Sequence, residues 1–525
     1  NQFYLKYRNS FFLSILSGLL LGISWPTYGF YFLIFIAFTP LIQLIESNKN
    51  ENIFKLTFFS FVTFMVWNII TTHWLYYATL TGMLFAIIVN SILMSLIVLA
   101  SLSIWKKLSY KLSIIFFISL WICFEKFHLN WDFSWPWLNL GNVFSENIKI
   151  IQWYEYTGVF GGTLWVLISN FVSYNLLKKL INHENFKSDT IYVSVIILIP
   201  IIVSLIIYTN IDIEEEKIKT VIIQPNIDPY NEKFNRSNDQ NLRYLESILN
   251  DVKNRNSLVI LPETYFSDGS LISSLNYSTL VEGLKGIRER YDTEILTGIE
   301  LYDVFNDSSR VKKYSNRLEN NRWLDLFNAS IFISEDIDIY KKSKLVVGIE
   351  KMPYKNFLEP LLGTLLIDFG GLSYSRGYQD YRTVFKSNTG TKVAPIICYE
   401  SIYGEYVSEY VRNGANLLAI ITNDGWWNNT EGHKQHLSYA RLRSIETRKN
   451  IVRSANTGIS AVINYRGEIL KTIGYEQEGL INKNVGMNEK ITFYTKYGDY
   501  IFRLCLFFII IISAFYLANL LKVKQ

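Results

Sequence analysis

The sequence predicts a polytopic α-helical membrane domain of about eight spans, joined to a polar α/β domain. Half of the 525 residues are hydrophobic and 16% are aromatic, and these residues are concentrated in particular stretches. Between the last two apolar stretches, short runs rich in β-branched residues alternate with amphipathic segments, which is the pattern of an α/β fold.

Eight apolar runs are long enough to cross roughly 30 Å of hydrocarbon, which takes about 17 to 25 residues. They lie at 10–25, 27–45, 54–76, 83–105, 109–125, 159–177, 189–209 and 502–521. The first two are separated only by WPTYG, which predicts a tight hairpin. The runs hold few ionisable residues, which favours a platform of helices over a transporter or receptor that binds within them.

The distribution of lysine and arginine predicts the orientation of the spans. One set of alternating segments holds most of these residues: Lys6, Arg8, Lys49, Lys55, Lys106, Lys107, Lys111, Lys178, Lys179, Lys187, Lys522 and Lys524. The positive-inside rule then places both termini in the cytoplasm and the polar domain outside. A cleaved signal peptide is not expected, because FFLSILSGLLLGISW lacks a small-residue cleavage site. The net charge of +5 needs no nucleic-acid partner, since topology-anchoring lysines account for it.

We therefore expect a transmembrane domain at 1–210 with about seven helices, an outer domain at 211–499 and a last transmembrane helix at 500–525. The outer domain's strands are predicted at KTVIIQ, SLVILPE, TEILTGIE, ASIFIS, KVAPIICYE, NLLAIITND and GISAVIN. LRYLESILNDVKNR and HLSYARLRSIETRKN have the pattern of amphipathic helices, and the polar stretch 306–323 that of a surface loop.

Three of these runs are followed by reactive side chains. Glu263 follows LVILP, Lys342 follows IDIYK, and Cys398 follows APII. Reactive groups of α/β sheets gather beyond the carboxyl ends of strands, so we expect these three to converge. A thiol is mostly protonated at neutral pH and needs a base or a nearby cation to act as a nucleophile. Glu263 would take the proton, and Lys342 would hold the negative charge. Glu350 and Glu400 would orient Lys342 or an incoming amine.

Each of these residues also has a plain structural interpretation. Cys398 alone would be an inert core thiol, and Glu263 a carboxylate at a helix start after Pro262. Lys342, with its neighbours Lys341 and Lys344, would form a solvated basic turn. Because all three residues follow strand ends, a shared catalytic site is favoured over these separate structural roles.

The series LPE, KKSKLVVGIEKMP, ICYE and TNDGWWNNTEGHKQHL resembles the apolipoprotein N-acyltransferase family, the membrane-bound branch of the nitrilase or carbon–nitrogen hydrolase superfamily. The resemblance runs over the whole chain. It implies a nitrilase-like four-layer αββα sandwich with a catalytic Glu-Lys-Cys triad at Glu263, Lys342 and Cys398, supported by Glu350, Tyr399 and Glu400.

Lys341 and Lys344 compete for the lysine position, but Lys342 stands eight residues before Glu350, as in the family motif. This chain reads LVVGIE where the family usually reads Leu-Val-Pro-Phe-Gly-Glu. The missing proline and the shifted glycine predict a different loop shape, with Lys342 and Glu350 retained.

The resemblance also implies the reaction. A phospholipid would donate an acyl chain, through a thioester on Cys398, to the α-amino group of the lipid-modified N-terminal cysteine of an apolipoprotein. No cofactor and no metal are implied, and the protein is expected to be a monomer in the bacterial inner membrane with its catalytic domain on the periplasmic side. The alternative enzyme is a membrane-tethered amidohydrolase or nitrilase that uses water as the acceptor.

Three further features have two interpretations each. Trp426 and Trp427 suit a lipid-binding loop or core packing. His433 and His436 suit helix-surface or loop-bracing roles, since no third metal ligand is apparent. The apolar stretch NFLEPLLGTLLIDFGG at 356–371 suits a lid that dips toward lipid or a cover for the sheet.

Overall fold

The computed structural model describes residues 2–233, 235–252, 256–351, 353–354 and 374–522. It divides into two compact units, one made of Asn1–Ile211 with Tyr497–Gln525 and the other of Asp212–Lys496. The apolar stretch 356–371 lies outside the described residues.

The first unit is helical. Its helices before the second unit are α1 Gln2–Ile23, α2 Thr39–Asn48, α3 Ile53–Thr72, α4 Leu80–Lys107, α5 Tyr110–His128, α6 Tyr154–Thr157, α7 Val159–Ile181 and α8 Lys187–Asn210. In the described part of the chain, six helical segments are long and apolar enough to cross a membrane: Tyr31–Asn48, Ile53–Tyr77, Leu80–Lys107, Val159–Ile181, Lys187–Asn210 and Tyr500–Leu521. Such helices confirm the prediction of a helical membrane domain.

The predicted second span, 27–45, is not one regular helix. A 3-10 segment, Tyr31–Phe35, is followed by the ten-residue α2. Pro40 stands in the first turn of α2, where it has no N–H to donate and its ring would clash with the carbonyl group one turn earlier. The proline therefore suits the start of a helix and interrupts a continuous one.

Among its described residues, the second unit contains fourteen strands and five α-helices. The strands are β1 Glu216–Gln224, β2 Ser257–Ile260, β3 Phe266–Leu271, β4 Thr293–Phe305, β5 Asn316–Arg317, β6 Trp323–Ile333, β7 Ile337–Lys341, β8 Phe385–Lys386, β9 Lys392–Ile397, β10 Leu417–Thr422, β11 Ile451–Ala455, β12 Ser460–Ile463, β13 Ile469–Ile473 and β14 Gly479–Met487. The helices are α9 Asn238–Val252, α10 Thr279–Tyr291, α11 Gly404–Arg412, α12 Glu431–Thr447 and α13 Phe493–Tyr497.

These strands form two sheets. The first has the order β14-β1-β2-β4-β6-β5, with β3 beside β4 and β7 beside β6, and the second has the order β13-β12-β11-β10-β9-β8. The central strands β1, β2 and β4 are parallel, as are β9, β10 and β11. The first and last long strands of the unit, β1 and β14, pair antiparallel from Glu216 opposite Met487 to Gln224 opposite Gly479.

The sheets pack face to face between two layers of helices. Ile331 and Ile333 of β6 join α9 and α10 in one buried apolar cluster, whereas Phe332 between them stacks on Phe385 of the second sheet, 5.6 Å away. Alternate residues of a strand point to opposite faces, so both faces of β6 are covered. On the far side, the Tyr410 hydroxyl of α11 donates to the carbonyl of Pro395 in β9. The nitrilase-like αββα fold predicted for this domain is therefore confirmed.

After the second unit, α14 Tyr500–Lys522 rejoins the first. Ile512 of α14 packs in an apolar cluster with Phe116 of α5 and Ile104 of α4. The Lys126 ammonium lies 2.7 Å from a carboxylate oxygen of Asp499, which ties the end of α5 to the start of α14.

Glu125 of α5 is a buried carboxylate in the helical unit, where the sequence indicated few ionisable groups. It accepts hydrogen bonds from the Thr163 hydroxyl at 2.7 Å, the Leu140 amide at 2.8 Å and the Trp121 indole at 3.1 Å. These donors come from α7, from the segment after α5 and from α5 itself. The carboxylate therefore holds three parts of the helical unit together.

We expect Glu125→Ala to lower the melting temperature of the detergent-purified protein by several degrees. The substitution leaves three buried donors without an acceptor, which costs about 1 to 3 kcal/mol for each donor that water cannot reach. Thermal unfolding followed by intrinsic fluorescence measures the change. Glu184→Ala, at an exposed carboxylate, is the matched control and should melt like the wild type; equal melting temperatures for both variants would contradict the bracing role.

Candidate active site

Glu263, Lys342 and Cys398 each follow the end of a strand in the second unit. Glu263 lies three residues after β2, Lys342 directly after β7, and Cys398 directly after β9. Their exposed fractions are 7%, 1% and 8%. The first two residues belong to one sheet and the third to the sheet that faces it, so the pairing of the two sheets brings the three together.

The Lys342 ammonium lies between two carboxylates. Its Nζ is 2.8 Å from Glu263 Oε1 and 3.0 Å from Glu350 Oε2. Burial alone would lower the pKa of Lys342, but the two carboxylates outweigh burial and hold this pKa well above its ordinary value. Burial alone would raise the pKa of Glu350, whereas Lys342 and then Arg376 lower it. The lysine is therefore a fixed positive charge.

Asn328 lies on β6, next to the strand that precedes Lys342, and it binds the same two carboxylates. Its Nδ2 donates to Glu263 Oε1 at 2.7 Å and to Glu350 Oε1 at 2.8 Å, and its backbone carbonyl accepts from the Lys342 amide at 2.9 Å. The second oxygen of Glu263 accepts from the amide of Asn423 at 3.1 Å, directly after β10. Sequence reasoning missed Asn328, which lies in the middle of an apolar strand and has no motif around it.

The turn that carries Glu263 is packed tightly against β4. Thr264 has a φ of +46°, an unfavourable backbone conformation for a β-branched residue. A Cβ at Gly298 would lie 2.3 Å from the Thr264 amide nitrogen and 2.5 Å from the Pro262 carbonyl oxygen, so only glycine fits there. The Gly298 amide donates to that carbonyl at 3.2 Å. Close approach of two backbones thus fixes the direction of the Glu263 side chain.

Cys398 is also held in a strained conformation, with a φ of +51° at the point where β9 enters a 3-10 turn. Such backbone strain concentrates at active sites. Burial raises the pKa of the thiol well above its ordinary value, the Glu263 carboxylate adds to this effect and the Lys342 ammonium opposes it. On β10, which pairs with the strand before Cys398, the Thr422 hydroxyl donates to Asp424 at 2.6 Å, and the amide of the next residue, Asn423, donates to Glu263. The resting thiol is therefore protonated and has a carboxylate near it.

Glu350 and Glu400 occupy different positions relative to Lys342. The Glu350 carboxylate contacts the ammonium, whereas the Glu400 carboxylate binds backbone amides. Glu400 Oε1 accepts from the Ser343 amide at 2.7 Å, and its Oε2 accepts from the Ile397 amide at 2.8 Å. Glu400 thus joins the backbone after Lys342 to the backbone before Cys398, and of the two carboxylates expected to orient Lys342 or the incoming amine, Glu350 is the one in contact with the Lys342 ammonium.

The rest of the Glu400 pocket is built from tyrosines. The hydroxyls of Tyr340 and Tyr406 each donate to Glu400 Oε1 at 2.6 Å. Burial raises the pKa of Glu400, and these hydrogen bonds oppose that rise. Tyr399, next to the cysteine, packs edge-on against Tyr403 with ring centres 5.4 Å apart.

The two neighbouring lysines point elsewhere. Lys341 Nζ lies 3.9 Å from the centre of the Phe327 ring, and Lys344 Nζ lies 4.9 Å from the centre of the Tyr403 ring. Successive residues leaving β7 point to opposite faces, which separates Lys341 from Lys342. Of the three, Lys342 is the lysine that the structure places against Glu263.

His436 braces the cysteine turn from α12. Its Nε2 lies 2.9 Å from Ser401 Oγ and 3.2 Å from the Cys398 carbonyl oxygen, and its Nδ1 lies 3.0 Å from Asp424 Oδ1. Burial would raise the pKa of Asp424, but the Arg453 guanidinium that contacts it lowers that pKa well below its usual range.

The remaining candidates lie on the DGWW segment and on α12. Trp426 and Trp427 are half-buried, with their rings against Tyr230 at 5.0 Å and against His436 at 5.7 Å. His433 stacks on Tyr475 at 4.4 Å, and burial lowers its pKa to about 4. Among the described residues, no group of three His, Cys, Asp or Glu side chains is arranged to hold a metal ion.

Comparison with known proteins matches two family models to this chain. Residues 17–172 match the apolipoprotein N-acyltransferase N-terminal domain, and residues 221–489, about half of the chain, match the carbon–nitrogen hydrolase family. The second match spans all the strand ends described above.

Curated relatives match along nearly the whole chain. The apolipoprotein N-acyltransferase of Chlorobaculum tepidum is 29% identical over 512 residues, which cover 94% of each chain. Those of Geobacter metallireducens and Thermotoga maritima are 26% and 25% identical, over 94% of this chain and 92% and 91% of theirs. The chain therefore belongs to the carbon–nitrogen hydrolase family, in the branch that carries an apolipoprotein N-acyltransferase N-terminal domain.

Proposed function

We propose that this protein transfers a fatty acyl chain from a phospholipid to the N-terminal α-amino group of the diacylglyceryl-cysteine of apolipoproteins, through a thioester on Cys398. The observation that carries the chemistry is the convergence of the Cys398 thiol with the Lys342 ammonium and the Glu263 carboxylate in a buried site. The relatives' name supports an apolipoprotein acceptor and transfer of an acyl group to nitrogen, and the long apolar helices support a lipid donor.

In the first half-reaction, a Glu263 oxygen takes the proton from Cys398 Sγ, and the sulfur attacks the ester carbonyl carbon of the phospholipid. The Lys342 ammonium stabilises the oxyanion that forms, together with a backbone N–H. The ester C–O bond then breaks, Glu263 returns its proton to the leaving oxygen, and lysophospholipid departs. Cys398 is left as a thioester.

In the second half-reaction, the neutral α-amine of the apolipoprotein attacks the thioester carbonyl carbon. Glu263 takes a proton from the amine, the C–S bond breaks, and the proton passes to the departing sulfur. The products are an amide and the original thiol. Glu350 keeps a negative charge beside Lys342 in both halves, and Asn328 keeps the two carboxylates in place.

We assign Tyr399 and Glu400 to support of the Cys398 turn, and Trp426 and Trp427 to the edge of the lipid site. We further propose a monomer in the bacterial inner membrane, with 1–210 and 500–525 forming the transmembrane part and 211–499 the periplasmic catalytic domain. The lysine and arginine distribution supports cytoplasmic termini. An amidohydrolase that uses water would need the same three side chains, so the acceptor is what distinguishes the two enzymes.

The proposed order of half-reactions predicts an isolable acyl-enzyme. Incubation with phospholipid alone should release lysophospholipid and leave a hydroxylamine-labile acyl mass on the peptide that contains Cys398, detected by mass spectrometry. Addition of a lipopeptide with a free N-terminal cysteine amine should discharge the adduct as amide.

Cys398→Ala is the control for this experiment and should carry no acyl mass, while its helical unit still inserts into membranes. Rapid release of free fatty acid from the wild type, unaffected by the lipopeptide, would favour the hydrolase instead. Acylation of the Cys398→Ala variant would remove this residue from the mechanism.

A second prediction tests the lysine. Lys342→Arg should lower kcat by about a hundredfold or more, because a planar guanidinium does not fit the position of a compact ammonium between two carboxylates, and loss of one oxyanion donor costs about 10²–10³ in rate. Lys341→Arg, the same substitution one residue earlier, should be close to wild type, since arginine also stacks on Phe327. Transfer to a fluorescent lipopeptide measures both. A fully active Lys342→Arg variant beside an inactive Lys341→Arg variant would exchange the two assignments.

A further inference from the structure

Lys233, in the segment between β1 and α9, is a second buried lysine beside the active site. Its side chain is 6% exposed, and its Nζ donates to the carbonyl oxygen of Glu263 at 3.3 Å and contacts the hydroxyl of Thr264. Both acceptors are neutral oxygens of the strained turn that carries the Glu263 carboxylate. Lys233 thus binds the Glu263 carbonyl and the Thr264 hydroxyl of this turn, whereas Lys342 binds the Glu263 carboxylate.

The ion cluster around Lys342 is neutral only when Lys233 is included. Glu263 and Glu350 contribute two negative charges, and Lys342 contributes one positive charge. Without another cation, this buried cluster would carry a net negative charge, which would disfavour a thiolate on Cys398. A protonated Lys233 makes the resting cluster neutral.

Two further pairs of opposite charges lie near Lys233 and Cys398. Glu300 of β4 lies 3.2 Å from Arg376, and Asp424 contacts Arg453. Both pairs act on the site only as dipoles. Burial lowers the pKa of Lys233 to about 8, while Glu263, Glu300 and Cys398 oppose that effect and Arg376 adds to it. The ammonium is therefore mostly present at neutral pH and is lost as the pH rises through about 8.

We propose that Lys233 is a positioning residue of the site, whose buried ammonium anchors the Glu263–Thr264 turn and balances the charge of the Cys398 thiolate. This inference rests on the proposed function for the acyl substrates, but the charge of Lys233 acts on the Cys398 thiol whatever the acyl donor and acceptor are. The lysine stands in NEKF, a polar turn without an apolar period, so nothing in the sequence distinguished it from a surface residue.

Alkylation of Cys398 by iodoacetamide tests this role without any lipid substrate. The rate at which the Cys398 peptide gains carbamidomethyl mass is measured from pH 6 to pH 9.5 in the full-length, detergent-purified protein. Lys233→Met should slow alkylation at pH 7 at least about tenfold, because a nearby opposite charge moves a pKa by about 1 to 3 units. The two profiles should converge above pH 8, where the wild-type lysine has itself become neutral.

Lys449→Met is the matched control. Lys449 is equally buried, has a pKa lowered to about 8 and donates to the backbone carbonyl of Asn488 at 2.6 Å, but its charge acts on Glu489, Lys392 and Lys490 rather than on Cys398. Its alkylation profile should follow the wild type at every pH. Lys233→Gln, which keeps a donor for Thr264 but has no charge, should behave like Lys233→Met.

Equal rates for the wild type and the folded Lys233→Met and Lys233→Gln variants would overturn the proposal. So would a reduction that is the same at pH 7 and pH 9, which is the signature of a distorted site without a charge effect. If both Lys233 variants unfold while Lys449→Met melts normally, Lys233 serves the fold and the proposal fails. Because no acyl transfer is measured, failure of the proposed function leaves this experiment interpretable.

Discussion

A buried ammonium that must stay paired is the constraint on which the active site depends. Removing one partner of a buried ion pair costs about 3 to 5 kcal/mol, because the remaining charge is left without water or a counter-charge. Lys342 avoids this cost with two carboxylates, Glu263 and Glu350, and Asn328 bonds both. The second carboxylate also matters during the reaction, because Glu350 still neutralises the ammonium when Glu263 accepts a proton. The pairing that holds the site together therefore permits the base to change its protonation state.

Two strained turns lie beside that ion pair, and residues outside the pair stabilise them. Thr264 and Cys398 both adopt left-handed backbone conformations, each of which costs about 1 to 3 kcal/mol. Gly298 and Lys233 secure the first, and Glu400 and His436 secure the second. Each of these four residues contacts the backbone of a turn or of its flanking residues. The nucleophile and the base are therefore placed by polar contacts to main-chain atoms, which depend little on the identity of neighbouring side chains.

The layered fold was predictable because buried parallel strands leave a plain signal. Runs such as NLLAIITND and SLVILPE are apolar on both faces and end in polar residues, and each forms a strand whose end lies at the site. Short strands such as β5, with two residues, leave no periodic pattern and were missed. Hydropathy predicted one continuous helix through Pro40, but the structure has a new helix that begins there. A hydropathy value averaged over many residues does not reveal the one N–H that proline lacks.

The site, too, contains residues that the sequence predicts and residues that it does not. Glu263, Lys342 and Cys398 stood out because a charged or nucleophilic side chain directly after an apolar run is conspicuous. Asn328 is hidden within such a run, and Lys233 within a polar turn, so their importance arises only from contacts between segments distant in the chain. The sequence placed Glu400 correctly beside Cys398. The groups that its carboxylate contacts depend on the backbone turn at Cys398, which the residue types alone do not predict.

The pairing of β1 with β14 brings the two ends of the α/β domain together. Opposite residues of an antiparallel pair lie only about 4.5 to 5.5 Å apart, so the sandwich begins at Glu216 and is completed at Met487 in nearly the same place. A folded body whose entrance and exit adjoin can be spliced into a loop of another protein without stretching that loop. A domain built in this way can be inserted at one position of a loop, and the helices on either side can keep their places.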